Sequence, residues 1–185
     1  MIREAVEFAV EAHKGAVRKG TQTPYIVHPL EAAVIVGSMT EDQELVAAAI
    51  LHDVLEDTDA REEDLRQRFG DRVADLVVEE TDDKTLSWLE RKKGKLERVA
   101  RGSRDLKMVV LGDKLSNIRS IARDYLTLGE KLWDRFNEKR RDVQAWYYWG
   151  MADCLAELAS CEPYQEYVGL CRQVFGERDP RWGEK

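Results

Sequence analysis

Leu45-Val46-Ala47-Ala48-Ala49-Ile50-Leu51-His52-Asp53-Val54-Leu55-Glu56-Asp57-Thr58 is the stretch on which the reading of this chain turns. Its first seven residues are apolar throughout, which fits a helix covered by neighbours on every side. A His-Asp pair closes that run, and a Glu-Asp pair follows one helical turn later. Four ionisable side chains at the end of a buried helix are costly unless something compensates them. A metal ion compensates them and gives the carboxylates chemical work.

The same helical spacing extends in both directions. Ile2 to His13 carries Val6, Ala9, Val10 and His13 on one stripe, and Lys14-Gly15 ends it. Arg18 to Val27 is a polar loop. Pro29 suits a first helical turn, which puts His28 at an N-cap-like position, with Leu30 to Val36 continuing the helix. Asp42 to Leu55 is the next helix. Asp64 to Phe69 and Asp71 to Glu80 follow, separated by Gly70. Lys84 to Ala100 is a charged helix, and Leu106 to Tyr125 is long and periodic. Leu132 to Leu158 is aromatic-rich, and Pro163 precedes a last helix to about Phe175. No strand pattern, repeat or low-complexity linker interrupts this order. The expectation is an all-α fold in one domain, residues 1–176, with a polar tail over 177–185.

Bulk properties narrow the class. The chain has 185 residues, 43% hydrophobic and 35% charged, which suits one globular domain with a real core. Its net charge of −7 argues against nucleic acid or an anionic membrane as partner. No stretch reaches the apolar length of a membrane span. Cys154, Cys161 and Cys171 form no CxxC pair and read as reduced thiols of a cytoplasmic protein. Ile2-Arg3-Glu4-Ala5-Val6 opens the chain without a signal-peptide pattern.

Residues three and four apart share a helix face, so His52 lies beside Glu56, and Asp53 lies beside both Glu56 and Asp57. The partly negative C-terminal end of a helix also favours a cation there. Further ligands must come from elsewhere in a chain with three histidines. His28 opens a helix, and Asp113 faces Asn117 inside Val110-Leu111-Gly112-Asp113-Lys114-Leu115-Ser116-Asn117. Two imidazoles and two carboxylates make a mixed nitrogen and oxygen set, suited to one octahedral divalent ion such as Mn²⁺ or Fe²⁺. On spacing alone, each has a plainer reading too. His52-Asp53 fits a hydrogen-bonded pair closing a helix, His28 fits an N-cap, and Asp113 fits a partner for Arg119. His13 reads as a packed, hydrogen-bonded helix end.

Five strings carry a family resemblance. They are Ala12-His13-Lys14-Gly15 with Arg18-Lys19; Pro24-Tyr25-Ile26-Val27-His28-Pro29-Leu30; Leu51-His52-Asp53-Val54-Leu55-Glu56-Asp57-Thr58; Thr81-Asp82-Asp83-Lys84-Thr85-Leu86 with Glu90-Arg91-Lys92; and Asp113-Lys114-Leu115-Ser116-Asn117. In this order they resemble the HD-domain metal-dependent phosphohydrolases, and within them the (p)ppGpp hydrolase domain of the RelA/SpoT homologue superfamily. The segment from Thr81 to Lys92 is especially similar to the stand-alone small alarmone hydrolases of the metazoan SpoT-homologue type.

The resemblance implies an HD-domain helical bundle and a set of roles. His28, His52, Asp53 and Asp113 would hold one Mn²⁺, with Fe²⁺ as the alternative. Glu56 and Asp57 would position and deprotonate the attacking water. Arg18 and Lys19 would line the nucleotide pocket near the purine, and Asn117 would contact the sugar side. The implied reaction converts (p)ppGpp to GDP or GTP and pyrophosphate, with a small-molecule nucleotide as partner. The chain's length leaves no room for a synthetase domain, so degradation without synthesis is expected. Alternatives are an HD phosphatase acting on the 2′-phosphate of NADPH, a 3′-phosphorylated nucleotide or a nucleoside monophosphate, and a non-catalytic nucleotide sensor.

Three further features need a reading. Gly112 precedes the candidate metal aspartate and should weaken its helix by about 1 kcal/mol relative to alanine. The basic run Arg91, Lys92, Lys93, Lys95, Arg98, Arg101, Arg104 and Lys107 reads as a solvated helix face, or as a source of contacts from Lys84, Arg91 or Lys92 to 5′-phosphates. Trp146-Tyr147-Tyr148-Trp149 reads as core, with Tyr147 or Tyr148 at the edge of the site.

Overall fold

Ala47, Ala48 and Ala49 are completely buried, flanked by Leu45, Ile50 and Leu51 at 1% exposure or less. A helix so small and so apolar lets its neighbours approach from all sides, and it is the axis of the fold. The computed structural model describes residues 1–179, which are helical with short connections. In chain order the helices are α1 (Ile2–Ala12), α2 (Val27–Gly37), α3 (Gln43–Leu51), α4 (Val54–Asp57), α5 (Glu62–Phe69), α6 (Asp71–Glu80), α7 (Trp88–Arg101), α8 (Arg104–Leu128), α9 (Arg141–Cys154) and α10 (Glu162–Phe175). Single 3₁₀ segments follow α8 (Gly129–Arg135) and α9 (Ala156–Leu158).

The central α3 packs against α1, α2, α6 and α8, and α8 carries α2 on one side and α10 on another. The all-α expectation holds: among the described residues the one extended contact is an isolated bridge between Val17 and Pro24. Among the described residues no helix is long and apolar enough to cross a membrane. The aromatic stripe of α9 is largely core. Tyr148 meets Phe175 at 5.4 Å and Tyr167 at 6.3 Å between ring centres, which fastens α9 to α10. The three cysteines are free.

Several boundaries differ from the sequence reading. The helix expected over Asp42 to Leu55 stops at Leu51 and restarts as α4. His52 Nδ1 turns back to the Ala49 carbonyl at 2.8 Å, taking one of the acceptors that a helix end leaves open. His28 is not an N-cap but the second residue of α2, whose cap is Ile26. The helix expected from Lys84 begins at Trp88, because Ser87 and Glu90 form a reciprocal capping box. The aromatic-rich segment from Leu132 to Leu158 divides into a 3₁₀ turn, a loop around Glu138, α9 and a second 3₁₀ turn; Glu138 accepts from the Arg140 N–H at 2.9 Å. In the expected tail, Arg178 is held by Asp153 at 2.6 Å, and 180–185 lie outside the described residues.

Gly112 also reads differently in three dimensions. A Cβ there would lie 2.8 Å from the Ala32 carbonyl oxygen and 2.8 Å from Val36 Cγ2. The glycine is what lets α8 close on α2, so its low helix propensity is outweighed by packing. The basic run is not one solvated face either: Lys95 is 2% exposed, and Lys107 reaches Glu157 at 2.8 Å.

Candidate metal and nucleotide site

Helix α2, the α3–α4 turn and the middle of α8 bring His28, His52, Asp53 and Asp113 to one point. His28 Nε2 is 3.2 Å from Asp113 Oδ1 and 3.4 Å from Asp53 Oδ2. His52 Nε2 is 2.9 Å from Asp53 Oδ2 and 3.7 Å from Asp113 Oδ1. Ligand atoms from His28, His52 and Asp113 all lie within 4.8 Å of one another, and all three residues are buried.

The hydrogen bonds on the far side of each ring define the chemistry of the near side. His52 Nδ1 donates to the Ala49 carbonyl. His28 Nδ1 lies 2.8 Å from Ser116 Oγ, whose hydroxyl donates to Glu31 Oε2 at 2.8 Å. Ser116 therefore accepts from His28 Nδ1–H. With both rings neutral, the two Nε2 atoms face each other with lone pairs 3.2 Å apart, a pairing that a proton or a metal ion between them relieves. Two lone pairs and two carboxylates facing inward repel unless a cation lies among them. Donors at right angles about 2.1 Å from a metal are about 3 Å apart, so the spacing fits a divalent ion. Such far-side partners orient metal-bound imidazoles and hold their tautomer.

The charges agree with this. Burial raises the Asp113 carboxyl, but Lys114 and the two imidazoles outweigh it and hold it well below the usual carboxylate range. Lys114 Nζ donates to Asp113 Oδ2 and Asn117 Nδ2 to Asp113 Oδ1, both at 2.5 Å. Burial opposes a proton on His52, yet Asp53 and Asp113 overcome it and raise the group to about 10. The pocket demands positive charge.

Glu56 and Asp57 stand next to this cluster in different settings. Glu56 accepts from the Asp82 backbone N–H at 3.1 Å, and burial raises its carboxyl above the ordinary value despite that bond. Asp57 is more exposed and accepts from Lys84 Nζ at 2.6 Å. Tyr25, to which the sequence reading gave no role, donates toward Asp53 Oδ2 at 2.7 Å and faces Asp57 Oδ2 at 3.1 Å. It ties a candidate ligand to a candidate water-handling residue. His13 packs on the Tyr25 ring at 4.8 Å, but its buried Nε2 has no hydrogen-bond partner, so only the packing half of its expected role is met.

A cavity of about 620 Å³ opens beside the cluster, a size that suits a nucleotide. His28, Asp57, Arg18, Lys19, Asn117 and Tyr148 are on its wall. Arg18 donates to Asn117 Oδ1 at 2.8 Å, and Asn117 in turn donates to Asp113, so the cavity wall is bonded to the His/Asp cluster. Lys19 reaches Asn137 at 2.9 Å. A smaller hollow of about 230 Å³ adjoins it, sharing Lys19, Asn117 and Tyr148 and adding Arg91, Lys92, Lys114 and Tyr147.

Sequence reasoning did not find Tyr25, Ser116 or Glu31. Tyr25 and Ser116 lie inside quoted strings and were open to question; Glu31 has no signal except its place one turn after His28.

Comparison with known proteins agrees with this geometry. The HD domain family model matches residues 5–139. A guanosine-3′,5′-bis(diphosphate) 3′-pyrophosphohydrolase MESH1 from Xenopus tropicalis is 44% identical over 127 residues, covering 66% of this chain and 70% of that protein. The Homo sapiens MESH1 is 42% identical over 123 residues, covering 65% and 69%. A solved structure of a metazoan orthologue of SpoT that hydrolyses ppGpp superposes with a TM-score of 0.81 at 32% identity, covering 95% of this chain and 96% of that one. A solved Listeria monocytogenes protein gives 0.74 at 35% identity, covering 81% and 99%. The chain belongs to the HD-domain family, and its homology within it is with the small alarmone hydrolases of the MESH1 and SpoT type.

Proposed function

We propose that this chain is a divalent-metal-dependent nucleotide hydrolase that removes the 3′-pyrophosphate of (p)ppGpp, with residues 1–176 as the hydrolase unit. The observation that carries the reading is the convergence of His28 and His52 Nε2 with the Asp53 and Asp113 carboxylates at 2.9–3.7 Å beside a nucleotide-sized cavity. The family membership supports the same substrate class.

His28, His52, Asp53 and Asp113 would hold Mn²⁺, or Fe²⁺. Such an ion supplies Lewis acidity toward water and toward the oxygens on phosphorus. Glu56, raised by burial, is suited to take the proton of the attacking water. Asp57, steered by Tyr25 and Lys84, orients that water from the cavity side. Water's oxygen bonds to the phosphorus attached to O3′, the P–O3′ bond breaks, and pyrophosphate leaves with GDP or GTP as the second product. Arg18 and Lys19, on the cavity wall, would contact the purine, and Asn117 would contact the sugar. Arg91, Lys92 and Lys114 around the smaller hollow offer cationic contacts to a 5′-diphosphate.

The test is a side-by-side rate panel of the Mn²⁺-loaded protein on ppGpp, NADPH, 3′-phosphorylated nucleotides and nucleoside monophosphates, with Glu56→Gln and Asp57→Asn alongside. A dominant ppGpp rate, lost in both variants with metal content retained, supports the reading. A dominant rate on another substrate redirects it to that nucleotide. Undiminished rates in both variants remove the pair as water handlers.

A further inference from the structure

Lys95 carries a full ammonium group at 2% exposure, yet it faces neither cavity. A buried charge is retained only against close partners, and those partners show what it holds. Lys95 Nζ donates to the Glu80 carbonyl oxygen and lies 3.1 Å from Glu80 Oε2 and 3.7 Å from Asp82 Oδ1. Two more cations of α7 close on the same segment. Lys92 Nζ is 3.0 Å from Asp82 Oδ2. Arg98 Nη2 is 2.9 Å from Asp82 Oδ1 and 3.3 Å from the Thr81 carbonyl, while Arg98 Nε reaches the Glu79 carbonyl at 3.3 Å.

Lys92, Lys95 and Arg98 are three residues apart, so they share one face of α7. That face grips the C-terminal end of α6 and the two residues after it. Burial raises the Asp82 carboxyl, and the cations around it more than reverse this, bringing it down to about 2. The backbone at the centre of this grip is the Asp82 N–H, the group that donates to Glu56 Oε2 at 3.1 Å. Helices α4 and α7 thus meet through one peptide group, and that group fixes a candidate catalytic carboxylate.

We propose that the Lys92–Lys95–Arg98 face of α7 is a positioning device that holds the Asp82 amide against Glu56 and so sets the geometry of water activation. Lys95 and Arg98 line neither cavity and act through Asp82 and Glu56, whereas Lys92 also borders the smaller hollow. The inference rests on the reading of Glu56 as a water-handling residue and goes beyond it by assigning the basic run a job inside the protein.

The test uses Lys95→Met, Arg98→Gln and, as a control on the opposite exposed side of α7, Lys93→Gln. Arg98 has a side-chain exposure of 40%, so Arg98→Gln carries the test if Lys95→Met does not fold. Each is measured alone and on a Glu56→Gln background, by steady-state kinetics, metal content and hydrogen exchange of the Asp82 amide. Expected for Lys95→Met and Arg98→Gln is a kcat about tenfold lower or more, with KM within about twofold, metal content unchanged and Asp82 amide exchange about tenfold faster. On the Glu56→Gln background the further loss in kcat should vanish, because the device then has nothing left to position. Arg98→Lys should recover part of the loss. Unchanged Asp82 exchange in both variants overturns the proposal, as does a loss that adds in full on Glu56→Gln. A wild-type rate in Glu56→Gln itself refutes the water-handling role instead, and the exchange measurement then still decides whether α7 holds Asp82 in place.

Discussion

His28 Nε2 and His52 Nε2 stand 3.2 Å apart, while Nδ1 of each ring is committed to a partner on the far side. The fold holds the two Nε2 atoms against each other, and a cation between them, a proton or a metal ion, makes this favourable. His28→Ala and Asp113→Ala are expected to drop bound metal well below one per chain by elemental analysis. Wild-type melting temperature should rise with added Mn²⁺, and theirs should not, because binding to the native state alone stabilises it.

Tyr25 joins Asp53, a proposed metal ligand, to Asp57, a proposed water-handling residue, through one hydroxyl. Hydrogen bonds to charged groups contribute about 1.5–3 kcal/mol. Tyr25→Phe is therefore expected to lower kcat about 10- to 100-fold while the protein still binds metal. Kinetics and metal analysis on the same preparation check this; an unchanged kcat would free Asp57 from any dependence on Tyr25.

Gly112 has opposite consequences in sequence and in structure. Helix propensity alone would have Gly112→Ala stabilise the protein by about 1 kcal/mol. The 2.8 Å approach to the Ala32 carbonyl forbids a methyl group without moving backbone, and overpacking of this kind costs about 1–3 kcal/mol. The expected outcome is a lower urea midpoint. Because Asp113 is the next residue, metal affinity should fall as well.

Asp82 links stability to acid. Its carboxyl lies at about 2 in the fold, below its unfolded value of about 3.9. A depressed carboxylate contributes stability that is present above the unfolded value and is lost as pH falls through the folded one. That contribution is about 2–3 kcal/mol at neutral pH. Asp82→Asn should unfold more easily than wild type at pH 7, and the gap should close between about pH 4 and pH 2. Urea titrations across that range give the answer.

Much of the fold was readable from local pattern. Helical spacing located α1, α5, α6, α8 and α10 because each buries one stripe or a whole surface. The capping box Ser87 to Glu90 is a local signal as well, but the sequence reading passed over it and began α7 at Lys84. A boundary set by a side chain bonding its own helix end was not legible, as at His52, where the ring turns back on Ala49 and ends α3. In the site, the adjacent His52-Asp53 and Glu56-Asp57 pairs stood out by spacing, while Asp113 stood out as a carboxylate in an apolar helix. Partners joined only through space stayed hidden. Glu31 supports His28 through Ser116, 85 residues away in sequence from Glu31, and Lys95 reaches Asp82 across a turn between two helices.

Product analysis after incubating the Mn²⁺-loaded protein with ppGpp tests the proposed reaction most directly. GDP and pyrophosphate should form in equal amounts, at a rate abolished by His52→Ala and by chelation of the metal. Nucleotide that stays intact, or that loses only single phosphates, would contradict hydrolysis at the 3′-pyrophosphate.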